Sequence, residues 1–271
     1  MLGRYIDALH RIKDEELSPQ KISDFRLLIE WYNLYASAIY INGDLISAKK
    51  KYKFAQKLSK NLGYFEGFAT ALWGIGDILS VQRKYSRSIK YYLDALFTFD
   101  ALGRISHCLT INRNIAEVYI DFGRYSEARQ YADRANDLFA SIDQRYNEFY
   151  LLFTKLKLSI IESNIKEFSE ICKKLRCLIT DCIATTLLIQ LLVLLVVAYI
   201  DRGYSTKTSK YYDFLSFATK QVDKNNILTT IGKPELYELI LHPDLYHNYS
   251  NSLIQHFRSI VFHSDDYLNL N

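Results

Sequence analysis

The feature that most constrains this chain is a spacing of 40 residues. Stepping by 40 from Gly3 lands on Gly43, Arg83, Gly123, Ser163 and Gly203, so four of six positions are glycine where composition alone gives about 0.2. The neighbourhoods repeat as well: GRYIDA at 3–8, GDLISA at 43–48, RKYSRS at 83–88 and GRYSEA at 123–128, with VYIDFG and AYIDRG leading into Gly123 and Gly203. A self-similar period of this length means a stack of supersecondary units, each unable to bury its apolar face alone.

The columns of the repeat say what each unit is. Five residues after the turn position stand Ala8, Ala48, Ser88 and Ala128, and seven further on Ala55, Ala95 and Ala135; small side chains on one helical face let two backbones approach closely. Two residues after the turn come Tyr5, Leu45, Tyr85, Tyr125 and Ile165, bulky groups suited to filling the gap between neighbouring helix pairs. Upstream of the turn, Tyr32, Tyr35, Ala36 and Ile39, then Leu72, Ile75, Gly76 and Leu79, then Leu192, Leu195, Val196 and Tyr199 fall at i, i+3, i+4 and i+7, one face of an α-helix. Each unit therefore reads as helix, tight turn, helix, with glycine supplying the positive φ that ends the first helix.

This arrangement of small residue, apolar residue, turn glycine, tyrosine and paired alanines resembles the tetratricopeptide repeat, most closely over 69–102 and 109–142. Leu62-Gly63 and Leu102-Gly103, with the 40-residue period, are similar to the longer repeats of kinesin light chains and bacterial peptide-sensing regulators. The resemblance covers about residues 1–222 and implies an all-α fold: a right-handed α-α superhelix, a tetratricopeptide-like solenoid, with a C-terminal capping helical segment. Repeat four departs from the motif. Lys155 and Ser159 stand where apolar residues belong, Ser163 replaces glycine, and Phe168 and Leu175 replace small residues. Residues 1–22 are expected to be a half-repeat, either a cap or the continuation of a larger protein; 23–222 the array of about five helix pairs; and 223–271 a helical cap, with helices near 234–241 and 249–262.

The resemblance also implies a site. First helices of successive repeats line a concave groove in such proteins, which transfers here to Asn33, Ser37, Trp73, Asp77, Arg113, Asn114, Glu117, Tyr150, Phe153 and Lys157. Asn114 stands out because a carboxamide donates to and accepts from a peptide backbone at once, and Arg113 beside it can take a carboxylate bidentately. The alternative is that these are ordinary solvated helix residues. The expected partner is a protein or peptide, with self-association the competing use of a surface rich in tyrosine.

Other features carry less. Residues 45–60 hold six lysines and no acid, and Lys49, Lys53, Lys57 and Lys60 share one helical face. This basic patch is either a solvated face or a seat for an acidic protein, a phosphate backbone or an anionic lipid, while a formal charge of +4 on 271 residues gives no general case for nucleic acid. The 19 uncharged residues 182–200 match a membrane span in length, but they stay in phase with the array and carry Thr185, Thr186 and Gln190, as a helix buried on both sides would; a membrane-attached adaptor using this helix is the alternative.

Cys172, Cys177 and Cys182 are five apart, about 140° of helical rotation each, so they cannot face one ion and are expected as buried thiols. His242, His247, His256 and His263 cluster in the tail without an acidic orienting pattern. No metal, no cofactor and no catalytic residue is expected: nucleophile elbow, phosphate loop and paired-carboxylate signatures are missing from the sequence. Sparse cysteine and a charged start without an apolar leader point to the cytoplasm.

Overall fold

The computed structural model describes residues 23–140 and 145–179. Eight α-helices and no strand occur among them: α1 Phe25–Ile41, α2 Leu45–Leu62, α3 Phe65–Val81, α4 Tyr85–Ala101, α5 Ile105–Asp121, α6 Tyr125–Phe139, α7 Arg145–Ile161 and α8 Ile165–Ile179. The chain divides into two compact units, one of residues 1–122 with 130–143, the other of 123–129 with 144–271. In the first, consecutive helices pack from α1 through α5; in the second, α7 packs on α8.

Turns sit where the period puts them. Gly43 and Gly123 have φ of +90° and +72°, and the two non-glycine residues in the same column keep the left-handed conformation, Arg83 at +57° and Ser163 at +61°. The turns halfway between use Gly63 and Gly103, both at +66°. Asp44 closes the start of α2 by accepting from the Ser47 N–H at 3.0 Å, and Asn164 does the same for α8 through the Glu167 N–H at 3.1 Å.

The small-residue columns are the close-approach points. Ala48, Ala55, Ser88, Ala95, Ala128 and Ala135 are all fully buried. One core joins Ala36, Ile39, Tyr52, Ile75 and Ile78 across α1, α2 and α3; the next joins Leu72, Tyr92, Phe99, Ile111 and Ile115 across α3, α4 and α5. Helix α3 belongs to both, so each hairpin completes the core of its neighbour, and every fully buried Ile or Phe contributes about 1.5–3 kcal/mol. Three glycines fit α3 into this crowd: Gly67 faces Ile29 of α1, Gly74 faces the Tyr52 ring of α2, and Gly76 faces the Tyr92 ring of α4.

Repeat four keeps the register with different chemistry. Phe168 and Leu175 are buried in place of alanine, Ser159 is buried with its hydroxyl donating to the Leu156 carbonyl at 2.8 Å, and Lys155 lies 3.9 Å from Glu167. Two expectations fail there. Ile165 is 53% exposed rather than filling a gap between helices, and Cys177 is exposed while Cys172 is buried. Five residues of helix carry the second thiol about 140° away from the core face. Cys182, residues 182–200, the half-repeat at 1–22, and the segments and histidines beyond 222 lie outside the described residues. No described helix is long and apolar enough to cross a membrane.

Candidate functional site

Four helices of the first unit converge on one carboxylate. Asp77 of α3 is partly buried, and its Oδ1 accepts from the Tyr92 hydroxyl of α4 at 2.6 Å and from Asn114 Nδ2 of α5 at 3.3 Å. Asn114 Oδ1 in turn accepts from Arg113 Nη2 at 2.7 Å. Burial pushes the Asp77 carboxyl up from its ordinary 3.8 to about 6, against the Tyr92 hydrogen bond, the Arg113 guanidinium, Trp73 and Asn114, all of which lower it. Tyr40 of α1 and Tyr92 are both raised, first by burial and then by the Asp77 charge, which keeps both phenols neutral.

Trp73, one turn before Asp77, completes the cluster. Its buried indole N–H acts on the Asp77 carboxylate closely enough to lower that pKa, short of a hydrogen bond of full geometry. Its ring meets the His107 imidazole edge-on at 6.1 Å, and His107 stacks on Phe99 at 4.5 Å. Burial, then Arg104, pushes the His107 pKa down, with Glu66 and Glu30 opposing. The site thus combines a carboxylate of raised pKa, a carboxamide, a guanidinium and a buried indole N–H on adjacent first helices. Among the described residues, no group of three or more His, Cys, Asp or Glu could hold a metal ion.

Of the ten groove positions taken from the sequence, Trp73, Asp77, Arg113 and Asn114 come together here. Glu117 lies one turn beyond Arg113 and Asn114 on α5, and Ser37 stands on α1; both are partly buried. Asn33 is 3% exposed, its Nδ2 donating to the Gly67 carbonyl at 3.0 Å, where it ties α1 to α3. In the second unit Tyr150 and Phe153 flank Phe149 at ring distances of 6.0 and 6.3 Å, and Lys157 is buried with its ammonium 5.0 Å from the Phe153 ring centre. Tyr40 and Tyr92 escaped the sequence reading because their spacing assigns them to core faces. The available signal was Gly76: a glycine in a helix interior marks where a neighbouring ring must pass.

No protein-family profile matches the chain, and no curated protein does. Among solved structures it is similar to BtubC (BKLC) from P. vanneervenii, with a TM-score of 0.61 and 16% identity over 81% of this chain and 90% of that one. It is also similar to the apo form of the quorum sensor NprR from B. thuringiensis, with a TM-score of 0.54 and 16% identity over 98% of this chain and 76% of that one. The fold is that of a tetratricopeptide-like solenoid. At 16% identity the likeness reaches the fold and stops there. Within the tetratricopeptide framework, Asp77 and Asn114 belong to successive first helices, and Tyr92 reaches them from the helix between.

Proposed function

We propose that this chain is a binding scaffold that takes an extended peptide or a partner helix against the first helices of its repeats, with Asp77, Asn114, Arg113 and Trp73 as the polar centre. One observation carries the reading. The Asp77 carboxyl, raised to about 6 by burial, opposes folding at neutral pH, and a core selected for stability alone has no use for it. A ligand relieves this cost where a peptide N–H or cationic group meets the carboxylate. Asn114 offers donor and acceptor together, which is what an extended backbone presents. The role is binding rather than catalysis, no cofactor is needed, and residues 23–222 form the array with 1–22 and 223–271 as its ends, in the cytoplasm.

The finer reading, that the scaffold is the sensing part of a regulator, draws its support from the fold likeness to the quorum sensor. Selection of a displayed peptide library on the full chain tests the scaffold. Selected peptides should bind Asn114→Ala and Arg113→Ala about tenfold more weakly, the loss of one hydrogen bond to a charged or buried partner. Undiminished binding of every selected peptide to both variants, with wild-type circular dichroism, refutes it.

A further inference from the structure

The second helices of the hairpins carry a pattern that peptide binding does not use. One period apart, Lys53, Leu93 and Asp133 occupy the same exposed position on α2, α4 and α6, and one turn later Lys57, Phe97 and Asp137 repeat the order. The outer face therefore runs from basic through apolar to acidic, twice over. Phe97 is 79% exposed and Leu93 38%, and α2 contains no acidic residue. The three helices are neighbours: Tyr91 of α4 packs on the core of α1, α2 and α3, and Tyr131 and Leu138 of α6 pack on the core of α3, α4 and α5. Burial first, then Lys53, Lys84 and Arg87, pushes the Lys49 ammonium pKa down, so the basic strip of α2 is reinforced from α4.

We propose that this face is a homodimer interface, in which α4 packs on α4 of a second copy and the lysine strip of α2 in each copy lies over the aspartate strip of α6 in the other. A two-fold axis lying in the interface along α4 has this consequence: it joins Leu93 and Phe97 to their own copies and exchanges the two flanks. A two-fold axis across the helices would instead set lysine on lysine. Charge of one sign on each flank of an apolar centre is self-complementary under the first operation alone. Lys90 and Asp100, one turn beyond the apolar pair at either end, would meet their own copies, which limits the contact to about two turns of each helix. An apolar centre with a charged rim is the ordinary anatomy of such a contact.

The full chain, in which a monomer weighs 31.7 kDa, is examined by sedimentation velocity across micromolar concentrations. The wild type should move toward twice that mass as concentration rises. Lys53→Glu with Lys57→Glu in one variant, or Asp133→Lys with Asp137→Lys in another, should weaken association about tenfold or more, each turning four attractive pairs per dimer into repulsive ones. Mixing the two variants restores the doubled mass, because each then presents the flank the other needs; this arm also excludes misfolding as the cause of the loss. A wild type that stays at monomer mass at every concentration overturns the proposal. So does association untouched by either reversal, or a mixture that stays monomeric.

Discussion

Replacing Asp77 by Asn should make the protein more stable at neutral pH while weakening its ligand binding. The folded carboxyl at about 6 lies above its ordinary 3.8, so the folded state holds its proton more tightly than the unfolded chain does. Stability from this group is therefore greatest below pH 4 and falls as pH rises through the window from about 4 to about 6. At about 1.4 kcal/mol per pH unit the full difference corresponds to about 3 kcal/mol, and water reaching the partly exposed carboxylate reduces it to about 1–2 kcal/mol. Asparagine keeps an Oδ1 acceptor for the Tyr92 hydroxyl and removes the charge. Urea unfolding at pH 7 should thus show Asp77→Asn more stable by about 1–2 kcal/mol, with the difference shrinking or reversing at pH 4. Equal stability of the two proteins at both pH values would refute the claim that burial of this carboxylate opposes folding.

Two further substitutions probe the framework. Gly76→Ala sets a Cβ 2.6 Å from the Tyr92 ring, whose hydroxyl is anchored on Asp77. Strain of about 1–3 kcal/mol should outweigh the roughly 1 kcal/mol gained from helix propensity, giving a net loss of up to about 2 kcal/mol in urea unfolding; a gain in stability would show that the ring moves freely. Gly103→Ala adds a methyl to open space at φ +66°, so its cost of about 1 kcal/mol is conformational alone, whereas Arg83→Gly at φ +57° should be neutral or stabilising by up to about 1 kcal/mol. A stabilising Gly103→Ala or a destabilising Arg83→Gly in thermal denaturation would contradict the assignment of both residues to left-handed turn positions.

The period was legible because a left-handed turn selects glycine and close helix contacts select alanine, two requirements that act on single residues. Arg83 and Ser163 show that register survives when the residue does not: both hold positive φ at the expected step. The site was legible only in part. Spacing put Asn33 and Lys157 on the ligand face, but not their burial, which depends on α1 meeting α3 at Gly67 and on the Phe153 ring beside the ammonium. Tyr92 was hidden for the converse reason. Its spacing marks it as core, and its ring is core, while its hydroxyl emerges at Asp77 through the gap that Gly76 leaves.

Hydrogen–deuterium exchange of the full chain with and without a selected peptide tests most directly which face binds. Protection should appear in Phe65–Val81 and Ile105–Asp121, around Asp77 and Asn114, with Leu45–Leu62 and Tyr85–Ala101 little changed. Protection concentrated in the second helices, with exchange around Asp77 unaltered, would contradict the account.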